Sequence, residues 1–471
     1  MSAPWDRRTP DEHQRVAALT LSSWLPAATS FSAYWSHRTT ELGAHPDLLT
    51  SADDLLRFRP VREDDIRDVG GPGCPALLMR PTQDQVKARG SSSVLMSMAN
   101  AIRREGGDGE RRAILQEYKP IHIHRGGVED DLAIAYSRSD LDRLHRCGAR
   151  AASVLGLDDA DYLVSAVPSG PRLDWWGVYH LALGASMLAL HPRGAGDELD
   201  RTIESFGLLP TTVVAVPLDE AAALANLLVE YGEEVPRVHT VLTVGPPPDD
   251  ATRAEIEEAW RAAGANEDHL VVRALYAPSE ARALWAEPRE SPTGLVTYPD
   301  LEALEVVDAL TGEPSEGGGD LTITTAGWHG TALIRYQTGV YVDGIDRTPD
   351  ASGITAPRIV GGVVPAAWQP DVTRRDGTAG HVDFRAAGDV LSSTEGVQNW
   401  RIEVRGPTQK VKHDRVLIEV GGTLEEEDQA DLVRRFVAAA GASIHAINVV
   451  ADPHVLETRI AELGTPFLDA R

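Results

Sequence analysis

Short apolar runs alternate with amphipathic stretches of about a dozen residues between positions 140 and 275, and this alternation constrains the fold more than any other feature. The pattern predicts strands over residues 161–167, 211–216, 240–244 and 270–275, and helices over residues 140–155, 175–189, 220–231 and 251–263. Strands that are joined by helices pair in parallel, because the crossover helix brings the chain back to start the next strand in the same direction. The chain is therefore predicted to be an α/β protein whose mostly parallel sheet carries helices on both faces.

The pattern changes towards the C-terminus. After residue 301 strands predominate, and past residue 370 a smaller α+β pattern follows, with strands over 400–405, 416–420 and 444–450 and a helix over 425–440. A chain of 471 residues is too long for one compact core. We therefore expect a large α/β N-terminal domain over residues 1–371 and a small α+β C-terminal domain over residues 372–471.

The charge balance limits the partners. The formal net charge is −26, from 45 basic and 71 acidic residues. Nucleic acid and anionic membrane surfaces both require a basic footprint, so neither is expected as a partner. No apolar run approaches the roughly 20 residues that cross a bilayer, and residues 1–10 carry no signal-peptide core. We expect a cytoplasmic protein.

Cysteine usage is low. Only Cys74 and Cys147 are present, which is too few for a disulfide framework or a cysteine-based zinc site. No zinc is therefore expected.

The segment from Tyr276 to Glu280, with Ser279 inside it, follows the predicted strand 270–275. Ligands of open α/β sheets bind at the carboxyl ends of strands, so this position suits a binding site. Glu280 offers carboxylate oxygens, which hard divalent cations prefer. The alternative is a strand-to-helix turn in which Ser279 acts as a cap.

A second motif, Ile334-Arg335-Tyr336-Gln337-Thr338-Gly339, follows about sixty residues later. Together the two motifs resemble those of the ANL superfamily of adenylate-forming enzymes, in the branch of the phenylacetate-CoA ligases. The resemblance implies a large α/β domain with a small, mobile α+β lid. It also implies ATP and Mg²⁺ as cofactors, with CoA as a further substrate, Tyr276, Ser279 and Arg335 beside the ligand, and Glu280 at the magnesium ion.

The sequence departs from the family pattern at three places. Val340 stands where the family has the aspartate that binds ribose hydroxyls, and Glu129, Asp130 and Asp131 stand in the phosphate loop. The family's C-terminal lysine is missing near Gly464, and the last lysine of the chain is Lys412. We therefore predict that ATP-dependent adenylation is impaired.

Two further groups of residues are candidates for the site. Trp176 and His180 are i,i+4 neighbours in a helix that resembles the one lining the acyl pocket of phenylacetate-CoA ligases, although aromatic residues at helical spacing are usually core. His122 and His124 alternate along a strand and so share a face, where they could bind a metal or supply a base, or face only solvent or a neighbouring strand.

The sequence leaves the function open between hypotheses. The first is a divergent acyl-CoA ligase-like protein that acts on or binds a small carboxylic acid or acyl group. The second is a non-catalytic ANL paralogue that binds an acyl ligand or a partner protein, and the third is a metal-dependent activity at His122 and His124. Fold alone does not decide among them, nor whether the chain forms a homodimer.

Overall fold

The computed structural model describes residues 5–70, 73–88, 114–127, 132–196, 199–308, 311–315, 317–365, 368–408, 410–424, 426–441, 443–463 and 466–470. These form two compact units, Met1–Val363 and Val364–Arg471. The sequence places the domain boundary after residue 371, and that boundary stays a prediction.

A nine-stranded sheet dominates the first unit. Its strands are β3 (Tyr162–Ser165), β4 (Leu188–Leu190), β5 (Val213–Pro217), β6 (Thr240–Val244), β7 (Val271–Tyr276), β8 (Trp285–Ala286), β9 (Leu295–Val296), β13 (Gly344–Asp346) and β14 (Arg358–Val360). They lie in the order β13-β14-β9-β8-β7-β6-β5-β3-β4. The five strands from β7 to β4 pair in parallel, and β8, β9, β13 and β14 extend the sheet antiparallel. The predicted α/β fold class is confirmed.

Helices connect the strands of this sheet and flank it. In chain order the α-helices of the first unit are α1 (Pro10–Phe31), α2 (Ala33–Glu41), α3 (Ala52–Leu56), α4 (Glu63–Gly70), α5 (Gln83–Ala88), α6 (Arg138–Leu155), α7 (Leu173–Ala185), α8 (Ile203–Phe206), α9 (Ala221–Tyr231) and α10 (Asp250–Ala262). Short 3-10 helices span Trp5–Arg7, Pro46–Leu48, Pro75–Leu77, Leu199–Thr202 and Leu218–Glu220.

The helix predicted over residues 175–189 is shorter than expected. Helix α7 ends at Ala185, because Ser186 adopts the left-handed conformation with φ 60° and its amide closes the last turn. Residues 188–190 then form β4, the edge strand of the sheet. Serine at a left-handed helix end is uncommon, so the sequence carries no glycine or proline signal for this boundary.

Helices α6 and α7 pack in direct backbone contact. A Cβ atom at Gly148 would lie 2.1 Å from the carbonyl oxygen of His180, and one at Gly184 would lie 2.2 Å from the amide nitrogen of Ala149. Only glycine permits such an approach. Because α7 carries Trp176 and His180, these two glycines fix the position of both candidate site residues.

The remaining strands of the first unit form two smaller groups. Strands β1 (His122–Gly126) and β2 (Leu132–Tyr136) pair antiparallel, with His124 opposite Ile134. Strands β10 (Ala303–Val307), β11 (Gly319–Thr324) and β12 (Tyr336–Val342) form an antiparallel group in that order. The motif that contains Arg335 therefore leads into β12.

The second unit is a small α+β fold. Its strands are β15 (Val364–Pro365), β16 (Asp371–Thr373), β17 (Ala379–His381), β18 (Val397–Arg405), β19 (Arg415–Gly422), β20 (Ile444–Val450) and β21 (Phe467–Asp469), and its helices are α11 (Phe384–Ser392), α12 (Glu426–Ala440) and α13 (Pro453–Leu463). A four-stranded sheet, β20-β19-β18-β21, packs its buried face around Phe384, Ile418 and Phe436. The strands and the helix predicted between residues 400 and 450 are present.

Membrane-spanning helices are absent from the described part of the chain. None of its helices combines the length and the apolar character that crossing a bilayer requires.

Candidate functional site

The turn from Tyr276 to Glu280 lies at the carboxyl end of β7 and packs against two other elements. The hydroxyl of Ser279 accepts a 3.0 Å hydrogen bond from the amide of Leu173, the first residue of α7. A Cβ atom at Gly126, the last residue of β1, would lie 3.1 Å from the Ser279 Cβ. The turn therefore holds the start of α7 and the end of β1 together, and Ser279 caps a helix distant in sequence.

Glu280 is buried at this junction, with 5% of its surface exposed. The amide of Gly127 donates a 3.0 Å hydrogen bond to Oε1, while Oε2 is buried and has no hydrogen-bond partner among the described residues. Burial raises the pKa of the Glu280 carboxyl, since a charged form is disfavoured away from water. A buried carboxylate oxygen without a partner is a candidate ligand for a cation.

The carboxylate of Glu63, at the start of α4, lies on the other side of Gly127. A Cβ atom at Gly127 would be 2.5 Å from Oε2 of Glu63, so the two acidic side chains flank one glycine. In the described part of the chain no three metal-ligating side chains converge. Two carboxylates nevertheless suit Mg²⁺, which often takes one or two carboxylates and completes its shell with water and substrate phosphates. Glu63 could not be predicted from the sequence, because it lies far from the motif and in no recognisable pattern.

His122 and His124 lie on one face of β1, as their alternation predicted. Their Nε2 atoms are 2.9 Å apart, within hydrogen-bond distance. His124 is 1% exposed, and its burial, followed by the charges of His122 and His180, lowers its pKa to about 3. Burial also lowers the pKa of His122. Both imidazoles are therefore neutral at pH 7 and share one proton between their facing nitrogens.

Trp176 packs onto this histidine pair from α7. Its ring centroid lies 5.0 Å from that of His122 and 5.9 Å from that of His124. The neighbouring Trp175 stacks on Tyr179 at 5.7 Å, and Trp176 meets the same ring edge-on at 5.8 Å. The two adjacent tryptophans thus share Tyr179, while Trp176 also contacts the histidine pair.

His180 is buried one turn further along α7. Burial, followed by the charges of His145 and His122, lowers its pKa to about 4, and its Nδ1 has no hydrogen-bond partner within the described ranges. The structure brings His180 and Trp176 together with the histidine pair at the start of β1, and it brings Tyr276, Ser279 and Glu280 to the other end of that strand. That these residues border one common cavity stays a prediction.

The side chain of Arg335 forms its contacts with other residues of the protein. Its guanidinium forms a 3.0 Å ion pair with Glu305 on β10 and donates a 2.8 Å hydrogen bond to the carbonyl of Phe58. Its backbone has φ 47°, which is strained for a residue with a side chain. These contacts favour a structural role at the start of β12, and a ligand contact by Arg335 stays a prediction.

Val340 lies on β12 beside a carboxylate that the sequence did not indicate. Asp320 on β11 is 4% exposed, and burial raises its pKa to about 7, against the opposing effect of Arg62 and of the amides of Gly339 and Val340. A carboxyl group that titrates near neutral pH therefore lies one strand away from the position where the family carries an acidic residue. No hydrogen bond to Oδ1 of Asp320 is formed within the described part of the chain.

A polar network anchors the segment after β2. Asp140 accepts hydrogen bonds from the amides of Ser137, His329 and Gly330 at 2.9, 2.9 and 2.7 Å. His329 Nδ1 lies 2.9 Å from Oε1 of Glu117 and 3.2 Å from Oγ of Ser139, while Arg143 faces its Nε2 at 3.4 Å.

This network resembles a serine hydrolase triad in composition only. Arg143 can only donate, so Nε2 of His329 is the accepting nitrogen and Nδ1 carries the hydrogen. His329 Nδ1 then donates its hydrogen to Oε1 of Glu117 at 2.9 Å, so the nitrogen that faces Ser139 has no lone pair with which to remove the serine proton, as a triad requires. The network is therefore structural.

Two places where the sequence departs from the family pattern lie outside the described residues. They are the phosphate-loop carboxylates Glu129, Asp130 and Asp131, and Gly464 near the C-terminus.

Comparison with known proteins identifies the fold. No family model matches the sequence, and no curated protein matches it. Among solved structures, 2-hydroxyisobutyryl-CoA ligase in an open conformation with 2-HIB-AMP and CoA is similar with a TM-score of 0.68, 17% identity, and coverage of 94% of this chain and 89% of that chain. The same ligase in its post-adenylation state with R3-HIB-AMP gives a TM-score of 0.67, 16% identity, and coverage of 98% and 94%.

A third structure of that ligase, in its thioesterification state, gives a TM-score of 0.60 at 15% identity, with coverage of 97% and 94%. The chain therefore has the fold of the ANL adenylate-forming enzymes, and the fold that the motifs implied is confirmed.

Proposed function

We propose that this protein is a divergent acyl-CoA ligase-like protein that holds a small carboxylic acid or acyl group beside Ser279 and Glu280. One observation carries the proposal: the Gly127 amide donates a 3.0 Å hydrogen bond to Glu280 Oε1, while Oε2 of the same buried carboxyl has no partner in the part of the chain that the structure describes. A protein without a ligand here would gain nothing from burying a half-satisfied acid, because each unpaired buried group costs about 1–3 kcal/mol. The ANL fold also supports binding of an acid or acyl group at this place.

The acyl end of the ligand is assigned to α7 and β1. Trp176, His122 and His124 form an aromatic, uncharged surface there, which suits the body of an organic acid better than its carboxylate. Tyr276 is also neutral, because burial raises the pKa of its phenol. The motifs also resemble those of the phenylacetate-CoA ligases, and an aromatic acid is the substrate class that this resemblance implies.

The residues present fit a magnesium ion in part. Glu280 would hold it through the free Oε2, with Glu63 close enough to complete a second contact after a small shift. Bound there, Mg²⁺ would neutralise phosphate charge during acyl activation. The chain's own contribution is to desolvate Glu280 and to place Ser279 and the amide of Gly127 around it.

We propose that the protein binds ATP weakly and adenylates its acid slowly. Val340 cannot accept a hydrogen bond from a sugar hydroxyl, and the loop residues Glu129, Asp130 and Asp131 oppose a triphosphate by charge. Loss of one charged hydrogen-bond partner costs about 1.5–3 kcal/mol, which is a factor of ten to more than a hundred in affinity. We therefore propose slow adenylation and intact acid binding.

A direct test combines acid binding with acyl activation. Phenylacetate and 2-hydroxyisobutyrate would be titrated calorimetrically, and adenylate formation would be followed as hydroxamate production with ATP, Mg²⁺ and hydroxylamine. Glu280→Gln should lower any hydroxamate production at least tenfold, whereas Glu258→Gln, an exposed acid on α10, should leave it unchanged.

Three outcomes separate the alternatives. Binding of an acid with slow activation supports the proposal. Binding with no activation at all places the chain with ligand-binding ANL paralogues. If neither acid binds and no hydroxamate forms, acyl recognition beside Glu280 is wrong.

A further inference from the structure

A cavity of about 410 Å³ lies in the first unit between the first two turns of α1 and the strands β10 and β13. Pro10 and Ala17 on α1, Leu304 on β10 and Ile345 on β13 give it apolar walls. Cavities of roughly 300–1,000 Å³ with apolar walls and a few polar groups hold small molecules in many proteins. None of the motif residues beside Glu280 lines it, so its occupant is separate from the proposed acyl ligand.

His13 is a buried polar group of this cavity. It is 5% exposed, and its Nε2 lies 3.5 Å from Oγ1 of Thr355. That hydroxyl donates its own hydrogen to backbone carbonyls, including the carbonyl of Asp6 at 3.0 Å. The hydrogen of the neutral imidazole therefore belongs on Nε2, and Nδ1 carries a lone pair.

Nδ1 of His13 faces no donor among the described residues. The hydrogen bond that the imidazole forms with them runs through Nε2, and Nδ1 is not among the buried polar atoms that lack a partner, so it is not fully enclosed. Because the rest of the residue is enclosed, this nitrogen is left open to the cavity that His13 lines. Nδ1 can therefore accept a hydrogen bond from a ligand in the cavity.

Two acidic residues, Glu302 and Asp11, line the same space. Glu302 lines the cavity wall at 3% exposure, and its Oε1 accepts hydrogen bonds from the Tyr298 amide at 2.7 Å and the Trp285 indole at 2.8 Å. Its Oε2 has no partner among the described residues. Asp11 is exposed at the rim beside His13, while Arg347 lies at the exposed rim contributed by the segment after β13, where solvent screens its charge.

We propose that this cavity is a binding site for a small organic amine, whose apolar body contacts Ala17, Leu304 and Ile345 and whose ammonium group donates to His13 Nδ1. The lining supplies hydrogen-bond acceptors, and Glu302, which burial keeps protonated at pH 7, is favoured in its ionised form by a nearby cation, so a ligand with donors and positive charge is complementary. A carboxylate has no hydrogen to donate to the lone pair of His13 Nδ1. The site goes beyond the proposed acyl chemistry and does not depend on it.

Three probes that share one ring test the class of ligand. Benzylamine, benzyl alcohol and benzoate differ only in a cationic, a neutral and an anionic end group. Titrated into the full chain and followed by ligand-observed NMR and calorimetry, benzylamine should bind at least tenfold more tightly than benzyl alcohol, and benzoate should not bind at this site.

Variants on one helix locate the binding. Ala17→Phe fills the cavity and should abolish benzylamine binding, whereas Ala18→Phe, exposed on the neighbouring face of α1, should leave it unchanged. His13→Phe should weaken binding at least tenfold by removing the acceptor. If His13→Phe does not fold, the comparison of Ala17→Phe with Ala18→Phe still shows whether benzylamine binds in this cavity.

The proposal is overturned if the three probes bind with equal affinity, if benzoate binds best, or if benzylamine binds the Ala17→Phe variant as well as the parent. Retained benzylamine affinity in a folded His13→Phe variant would also contradict it.

Discussion

The amide of Gly127 donates a 3.0 Å hydrogen bond to Oε1 of Glu280, across 153 residues of sequence. This bond joins the residue after β1, where the sequence begins to depart from the family pattern, to the turn after β7, where the sequence resembles adenylate-forming enzymes. The position of Gly127 is closely constrained, since its φ is 85° and the Glu63 carboxylate occupies the space of a side chain. The candidate site is thus assembled around one glycine.

Gly127→Ala should lower the free energy of unfolding, because the added methyl group meets both the left-handed backbone and the Glu63 carboxylate. The left-handed backbone costs about 1 kcal/mol with a Cβ atom, and the approach to Glu63 adds about 1–3 kcal/mol. Gly43→Ala is the matched control, because Gly43 has φ 61° with nothing within 4 Å of the added methyl. Urea unfolding of both variants should show the larger loss for Gly127→Ala, and equal losses would mean that the Glu63 contact is unimportant.

Glu117 should stabilise the fold in a pH-dependent way. Its hydrogen bond to His329, opposed by burial, lowers its pKa from 4.5 to about 2. A depressed folded-state pKa gives stability that is present above the unfolded value of 4.5 and is lost as pH falls towards 2.

Glu117→Gln should therefore cost about 1–2 kcal/mol at pH 7, after allowance for partial exposure, and progressively less below pH 4.5. Thermal melts of both proteins from pH 3 to pH 7 provide the measurement. A difference that stays constant over this range would rule out the linkage.

Glu302 should show the opposite pH dependence. Burial raises its pKa to about 8, so the folded protein keeps the proton that the unfolded chain releases near pH 4.5. Stability from this group is complete below pH 4.5 and is lost as pH rises through 8.

The expected loss at pH 9 is about 2–5 kcal/mol for a fully buried acid. Glu302→Gln, which can keep the hydrogen bonds from Tyr298 and Trp285, should gain melting temperature relative to the parent between pH 5 and pH 9. If the two proteins lose stability in parallel over that interval, Glu302 does not titrate as described.

Trp176 should determine ligand choice more than stability. Its ring is only half-buried and rests on His122, so truncation removes ligand surface at modest cost to the core. Trp176→Ala should shift the relative affinity for phenylacetate and 2-hydroxyisobutyrate at least fivefold. A stability loss of about 3 kcal/mol or more with unchanged preference would instead mark Trp176 as core.

Lys410 and Lys412 should not replace the missing C-terminal lysine. They lie in an exposed loop before β19, where side chains are solvated. Alanine at either position should leave hydroxamate production within a few-fold of the parent. A loss of a hundredfold or more would mean that this loop supplies transition-state charge.

The sequence was sufficient for the fold and for part of the site. Periodicity located the parallel strands, and the order of two motifs identified the ANL architecture. The alternation of His122 and His124 correctly put both on one face. The end of α7 was missed, because Ser186 takes a left-handed conformation without a glycine signal.

Several contacts between residues that are distant in sequence could not be predicted from the motifs. Glu63 meets Gly127, Glu117 meets His329 across 212 positions, and Asp320 lies beside Val340 through strand pairing. None of these carries a local pattern, and each depends on packing between distant elements. Arg335 shows the converse, since a motif residue can be occupied by structural contacts to Glu305 and Phe58.

The central claim is that an adenylate-forming fold here binds an acid while nucleotide binding has weakened. Calorimetric titration of the full chain with ATP and Mg²⁺ tests it most directly, with Val340→Asp as the variant that restores the family's carboxylate. The account predicts a parent dissociation constant above about 100 μM and at least tenfold tighter binding by Val340→Asp, in line with one regained charged hydrogen bond. A parent dissociation constant in the low micromolar range would contradict it.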